Sequence, residues 1–272
     1  MKIAALQMVS TPSVERNLAD AAALIADAAR QGAALVALPE YFCLMGAETD
    51  KLRFAEPDDG SGRGGAIQTF LSDQAKAHGM WIVGGTLPIR QPGSERVRNA
   101  CCVYTPEGTR AARYDKLHLF AFDNGRESYD EARVLEPGAE PVTVIAAGLR
   151  TGLSVCYDLR FPELYRAMTY GDTMPLDLIS VPAAFTYTTG RAHWELLLRA
   201  RAVENQCHVI AAAQGGVHEN GRRTWGHSMI VDPWGEVLAV LDEGPGVVIA
   251  DIDAERQRQV RVQLPALAHR RL

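Results

Sequence analysis

Residues 33–40 read AALVALPE, an unbroken apolar run that ends on Pro39 and Glu40. A continuous apolar run of this length predicts a strand covered on both faces, as in the sheets of α/β proteins. Ligands of α/β sheets bind beyond the carboxyl ends of the strands, where the following turns point side chains into a shared crevice. Glu40 is therefore a candidate general base, and the alternative is a solvated loop carboxylate.

The segments on both sides of this run predict further strands and helices. Apolar residues at helical spacing from Val14 to Ala29 follow the capping segment 11–13, and Gly32 is placed to end that helix. The same reasoning predicts helices at 63–78, 161–170 and 192–206, and strands at 2–8, 80–87, 98–104, 109–114, 142–145, 149–155, 176–181, 208–213, 228–231, 236–241 and 246–251. Residues 117–138 read as a long functional loop, and residues 254–272 as a short helix and a tail. Because the two halves repeat a similar order, we expect one α/β domain over 1–272.

Composition excludes several classes of protein. The 272 residues are 47% apolar and 22% charged with a net charge of −5, which fits a globular protein and lacks the basic excess of a nucleic-acid binder. Charged residues interrupt the apolar stretch 18–38, so we expect no membrane span, and the opening run 2–8 is too brief for a signal peptide. Five cysteines without a C-x-x-C pair predict reduced thiols in a cytoplasmic protein.

Two more residues are candidates for chemistry. Cys156 comes at the end of the predicted strand 149–155, where it is either a nucleophile or, more commonly, a core residue. Lys116 comes at the end of the strand 109–114, and a single lysine there is usually a surface residue. Neither position is decisive alone.

Three segments together resemble the signature blocks of the nitrilase superfamily. They are LPE at 38–40, YDKLHLF at 114–120 and CYDLRFPEL at 156–164, in the order that the superfamily shows. HWELLLRARA at 193–202 and GHSMIVDPWG at 226–235 fit as well, so the resemblance covers essentially the whole chain. Within the superfamily the blocks are most similar to the Nit branch of ω-amidases and deaminated glutathione amidases.

The resemblance implies a fold and a catalytic set. The fold is an α/β four-layer α-β-β-α sandwich that pairs into homodimers or higher homo-oligomers. Cys156 is the implied nucleophile, Glu40 the general base and Lys116 the donor to the oxyanion. Glu131 matches the family's E-x-x-x-x-x-P-G pattern as a second carboxylate that positions Lys116, and Glu127 is the competitor for that role.

The resemblance also implies a reaction. A thiolate attacks a small amide, a thioester forms, and water releases a carboxylate after ammonia has left. The implied substrates are deaminated glutathione or α-ketoglutaramate, and no metal or organic cofactor is called for. The segment 121–129 departs from the pattern of the relatives beside the predicted pocket, so substrate choice is the least determined property.

Four residues are predicted to bind substrate. The backbone N–H of Tyr157 is a second oxyanion donor, and Phe185 and Thr186 wall the crevice. Arg160 is the candidate cation for a substrate carboxylate, unless it pairs with a neighbouring acidic residue. Those neighbours are Asp158 and Glu163.

Other functions compete with this one. A nitrilase or an N-carbamoyl-amino-acid hydrolase would use the same three residues, an isochorismatase-like hydrolase would use an Asp-Lys-Cys set, and the fold could serve as a binding module. The G-x-G-x-x-G match at 60–65 does not follow a strand, so it predicts no dinucleotide site. The histidines lack metal-ligand spacing and there is no G-x-S-x-G elbow.

Overall fold

The computed structural model describes residues 1–170 and 174–271. Its strands are β1 (Lys2–Gln7), β2 (Leu35–Ala37), β3 (Trp81–Val83), β4 (Leu87–Arg90), β5 (Val97–Tyr104), β6 (Arg110–Asp115), β7 (Ala121–Asp123), β8 (Ser128–Asp130), β9 (Thr143–Ala146), β10 (Leu149–Leu153), β11 (Leu178–Ser180), β12 (His208–Ala211), β13 (Gly215–Val217), β14 (Arg223–Trp225), β15 (Ser228–Val231), β16 (Val237–Leu241) and β17 (Gly246–Asp251). Its α-helices are α1 (Val14–Arg30), α2 (Asp50–Arg53), α3 (Ala66–His78), α4 (Pro162–Tyr170), α5 (Tyr187–Asn205) and α6 (Ala254–Gln263). Turns of 3₁₀-helix cover Glu131–Arg133, Cys156–Arg160 and Ala266–His269.

Two large mixed sheets carry the fold, and each has three parallel strands at its centre. The first sheet has the order β17-β1-β2-β3-β5-β4, with β6 also paired to β5. The second has the order β16-β15-β12-β11-β10-β9. Strands β1, β2 and β3 run parallel, and so do β10, β11 and β12. The similarity between the two halves of the chain is therefore present in the fold.

Alternating side chains show how the layers stack. In β1, Ile3 and Ala5 belong to the core cluster that also contains the strands of the second sheet. Ala4 and Leu6 belong instead to the cluster that contains Ile25 of α1 and other helix residues. On the far side of the second sheet, α4 and α5 contribute apolar side chains to the first cluster. The predicted four-layer α-β-β-α sandwich is confirmed.

Three predicted elements need correction. The strand predicted over 80–87 is split into β3 and β4, because the backbone turns at Gly84 and Gly85. Gly85 has φ +55°, and a Cβ there would lie 2.2 Å from the Pro39 carbonyl oxygen, so only glycine fits. The loop predicted over 117–138 contains the hairpin β7–β8, whose strands of three residues are too short to show a period of two.

The third correction places the start of α5 five residues before the predicted position of 192. Thr186 is its N-cap, and the Thr186 hydroxyl accepts a hydrogen bond from the Thr189 N–H at 3.3 Å. The first turn is polar, so the apolar periodicity alone did not reveal it. Among the described residues, no helix is long and apolar enough to cross a bilayer.

Candidate active site

Cys156 lies where β10 leads into a 3₁₀ turn, with its backbone in the left-handed region. Its φ is +51°, which is uncommon for a residue other than glycine and costs on the order of 1 kcal/mol or more. The surroundings hold this conformation, because the Cys156 N–H donates to the Pro182 carbonyl at 2.8 Å and the Val155 N–H donates to the Asp158 carboxylate at 2.8 Å. The turn thereby directs the thiol into a cleft at the carboxyl ends of β10 and β11.

Lys116 connects two carboxylates at the floor of this cleft. Its Nζ donates to Glu40 Oε1 at 2.8 Å and to Glu131 Oε2 at 2.8 Å, and its side chain is fully buried. An ammonium has three N–H donors, so one remains for a further acceptor. Within the described residues no other acceptor for this ammonium is found. Both buried carboxylates raise the pKa of Lys116 although burial alone would lower it, so the side chain stays charged.

Glu40 has a full set of hydrogen-bond donors around it. Besides Lys116, its carboxylate accepts from the Asn99 side-chain amide at 3.0 Å and from the Ala184 N–H at 3.0 Å. The Ala184 N–H also reaches the Cys156 thiol. Glu40 and the thiol are thus neighbours around one backbone amide.

Glu131 is held as firmly as Glu40. It accepts from the Tyr41 hydroxyl at 2.7 Å and from the Phe120 N–H at 2.8 Å, in addition to Lys116. Burial alone would raise the pKa of Glu131, but the Lys116 ammonium outweighs burial and holds this pKa well below its usual range. The carboxylate therefore stays ionised.

The charges around Cys156 keep its thiol protonated at rest. Burial raises the pKa of the Cys156 thiol, the Glu40 carboxylate raises it further, and the Lys116 ammonium only partly offsets both. One ammonium between two carboxylates leaves this trio with a net negative charge. The expectation that Lys116 would favour the thiolate is right in direction but too small in effect. A base must therefore remove the thiol proton, and Glu40 is the base within reach.

The cleft above this floor encloses about 260 Å³ of empty space. Six of the predicted site residues line it, namely Glu131, Cys156, Tyr157, Arg160, Phe185 and Thr186. Phe120, Ala184, Thr189 and Arg222 line it as well and were not predicted. The structure therefore brings together the residues that the sequence pointed to. Their roles in catalysis and substrate binding remain predictions.

Arg160 lies on one wall of the cleft without a carboxylate partner among the described residues. Its guanidinium donates to His193 Nδ1 at 3.2 Å and lies 5.3 Å from the ring centroid of Phe185. The pairings with Asp158 and Glu163 that the sequence left open are not formed in the described residues. Asp158 instead accepts from the Tyr114 hydroxyl at 2.7 Å.

The two carboxylates that compete for the position beside Lys116 are now distinguished by location. Glu131 contacts the ammonium, whereas Glu127 lies in the turn of the β7–β8 hairpin and accepts from the Thr188 hydroxyl at 2.8 Å. That contact ties the hairpin to the first turn of α5. The segment 121–129, where the sequence departs from its relatives, is thus part of the cleft wall.

Three residues of the site were missed by the sequence reasoning. Tyr41 directly follows Glu40, and its position was a usable signal. Asn99 is a buried polar residue inside the otherwise apolar strand β5, which was also a usable signal. Arg222 lies in the turn between β13 and β14, and nothing local in the sequence separates it from the neighbouring Arg223. Among the described residues no cluster of histidine, cysteine and acidic side chains could hold a metal ion.

A cysteine, a glutamate and a buried lysine around one cleft of an α-β-β-α sandwich define a hydrolase of carbon–nitrogen bonds. The chain belongs to the carbon-nitrogen hydrolase family, whose model matches residues 2–262. It is similar to the deaminated glutathione amidase of Synechocystis sp. (strain PCC 6803 / GT-S), with 44% identity over 271 residues, 98% of this chain and 97% of that one. The predicted resemblance is confirmed.

Two solved structures show the same fold. Nit3 of Saccharomyces cerevisiae, a member of branch 10 of the nitrilase superfamily, matches with a TM-score of 0.90 and 29% identity over 100% of this chain and 97% of that chain. The amidase from Nesterenkonia sp. AN1 matches with a TM-score of 0.78 and 27% identity over 98% of this chain and 99% of that chain. The latter carries acrylamide, added by Michael addition, at its active-site cysteine.

Proposed function

We propose that this protein is a cysteine-dependent amidase that hydrolyses the ω-amide of a keto acid, with deaminated glutathione as the substrate it prefers. The observation that carries this proposal is the buried Lys116 ammonium, 2.8 Å from both Glu40 and Glu131 beneath a cleft that Cys156 lines. The similarity to a deaminated glutathione amidase over nearly the whole chain supports the substrate. α-Ketoglutaramate is the alternative substrate.

In the proposed mechanism, Glu40 removes the proton of the Cys156 thiol as the sulfur attacks the amide carbonyl. The negative charge that develops on the carbonyl oxygen is met by the free N–H of Lys116 and by the backbone N–H of Tyr157. Glu40 then returns the proton to the departing amine, which leaves a thioester. A water molecule that Glu40 deprotonates cleaves the thioester and releases the carboxylate.

The amine that leaves depends on the substrate. α-Ketoglutaramate has a primary amide, so its hydrolysis releases ammonia. Deaminated glutathione is joined to cysteinyl-glycine through its amide, so its hydrolysis releases that dipeptide with a free amino group. The two reactions give the same keto diacid and are distinguished by the amine.

A panel of four substrates tests the function. We expect the highest kcat/KM on deaminated glutathione and a lower value on α-ketoglutaramate, measured by the released amine. An N-carbamoyl amino acid and a simple nitrile serve as the other two. Turnover of the nitrile alone, or of the carbamoyl compound alone, would replace the amidase by the corresponding hydrolase. No turnover of any of the four by a folded protein would favour a binding module.

The homodimer is part of the same proposal, and an exposed apolar surface supports it. Leu196 on the outer side of α5 is 67% exposed and Val240 of β16 is 48% exposed, and both line one surface groove. Trp234, in the turn before β16, is 50% exposed. Monomeric proteins rarely leave such residues uncovered together.

Sedimentation velocity at micromolar concentration tests this assembly. We expect a dimer, or a multiple of it, for the native chain and a shift towards monomer for Leu196→Glu. Val262→Glu is the matched control, because Val262 is 75% exposed on α6, outside this groove. A native monomer, or equal effects of the two substitutions, would contradict the proposed interface.

A single domain over 1–272 and a cytoplasmic location complete the proposal. One core cluster contains side chains from both large sheets, which supports a single cooperative unit. All five cysteines are free thiols, which fits a reducing compartment. Two separate unfolding transitions would contradict the single domain, and recovery outside the cytoplasmic fraction would contradict the location.

A further inference from the structure

Arg222 reaches the cleft from a different wall than Arg160 does. It lies in the turn between β13 and β14, and its Nη2 donates to the Ala184 carbonyl at 2.8 Å. Its guanidinium lies 5.1 Å from the ring centroid of Tyr129 in the β7–β8 hairpin. It lines the same cleft as Cys156. A second arginine is therefore part of the pocket wall.

This arginine is charged and only partly paired. Its Nε is buried without a hydrogen-bond partner. Within the described residues no carboxylate lies at ion-pair distance from it. Buried cations normally have an anionic partner, because an unpaired charge away from water is costly. The neighbouring Arg223 follows this rule, since it is exposed and pairs with Glu243 at 3.0 Å. The missing partner of Arg222 points to an anionic group on the ligand.

The two arginines of the cleft contact successive residues from different walls. Arg160 lies over the ring of Phe185 and is bonded to His193 of α5, whereas Arg222 is bonded to the carbonyl of Ala184 on the side of the hairpin. The N–H of Ala184 is the group that reaches Glu40 and the Cys156 thiol. The reacting sulfur therefore has two separate guanidinium groups near it, and neither has a carboxylate partner in the described residues.

We propose that Arg222 binds a carboxylate on the leaving-group side of the scissile amide. This inference rests on the proposed function, in which Arg160 binds the keto-acid carboxylate of the acyl part. A second carboxylate is present in deaminated glutathione, on the glycine of the departing dipeptide. α-Ketoglutaramate has none there, because its leaving group is ammonia. Arg222 thus selects substrates whose leaving amine carries a negative charge.

The test is a comparison of substrates in the variant Arg222→Gln. Removing a buried charge near Glu40 and Cys156 changes the hydrolysis of every substrate, so the informative quantity is a ratio. We expect the ratio of kcat/KM for deaminated glutathione to kcat/KM for α-ketoglutaramate to fall by about ten- to a hundredfold, as for the loss of a hydrogen bond between charged groups. The KM for deaminated glutathione should carry most of the change.

Two controls make the result specific to the carboxylate. Deaminated glutathione with its glycine carboxylate converted to an amide should already be a poor substrate of the native enzyme, and Arg222→Gln should not lower its kcat/KM relative to α-ketoglutaramate further. Arg222→Lys keeps the positive charge and should restore part of the ratio. Arg223→Gln removes an adjacent arginine outside the cleft and should leave the ratio unchanged.

The outcomes separate this inference from the proposed function. If the native enzyme hydrolyses deaminated glutathione but Arg222→Gln leaves the ratio unchanged, Arg222 does not bind the leaving group and the inference is wrong. The inference is equally wrong if the glycine amide loses as much activity as the parent compound in the variant. If the native enzyme hydrolyses neither keto-acid amide, the proposed function itself fails.

Discussion

Replacing Cys156 by alanine is expected to abolish amide hydrolysis, with a loss in kcat of about 10⁴-fold or more. The remaining groups can still bind substrate and face the oxyanion, but no atom is left to form the thioester. Because Cys156 lines the cleft and its φ of +51° is compatible with alanine no worse than with cysteine, the variant should fold. Release of amine from the preferred substrate measures the loss.

Cys207→Ala is the matched control, because Cys207 is also fully buried but lies after α5, outside the cleft. It should keep its kcat at a modest cost in stability. Acrylamide provides a second readout that does not depend on turnover. Intact-mass analysis should show one added acrylamide on the native chain and on Cys207→Ala, and none on Cys156→Ala. Full hydrolytic activity of Cys156→Ala would end the proposed mechanism.

The parts of the site that follow strands were within reach of the sequence. Glu40 and Cys156 each come directly after an apolar run, and the parallel centres of the two sheets place those strand ends together. Lys116 carried no such signal of its own, and its meaning came from the signature block around it. Glu131 was separated from Glu127 by spacing, and the contact with Lys116 favours the same choice.

What the sequence did not reveal depends on contacts between distant segments. Arg222 becomes part of the cleft because its turn packs against Ala184 and Tyr129, which are far away along the chain. The break between β3 and β4 has a similar origin, since the approach of Gly85 to the Pro39 carbonyl is a tertiary contact. Local periodicity carries no information about either.

Replacing Lys116 by methionine should cost both stability and activity, because the ammonium holds two buried carboxylates together. Its loss leaves Glu40 and Glu131 as neighbouring negative charges, and breaking a buried pair in this way typically costs about 3–5 kcal/mol. The loss of an oxyanion donor should lower kcat by about 10²–10³-fold in addition. Urea unfolding gives the first quantity and amine release the second.

A second substitution shows whether the two carboxylates are the cause. In the Lys116→Met background, Glu131→Gln removes one of the unpaired charges and should recover part of the free energy of unfolding, but no activity. Glu127→Gln is the matched control in the same background, since Glu127 contacts Thr188 and not Lys116. Equal recovery by both would mean that the loss reflects general charge and not this pair.

The pH dependence of unfolding should reverse sign between the native chain and Lys116→Met. In the native chain the pKa of Glu131 is lowered by Lys116 to about 2, so its stabilising contribution is present above the unfolded carboxyl pKa and is lost as pH falls towards 2. Without the ammonium, burial raises the carboxyl pKa values, and neutral carboxyls then cost less to bury. The deficit of Lys116→Met should therefore be smaller at pH 5 than at pH 8. A deficit that stays constant over this range would contradict the view that unpaired carboxylates cause it.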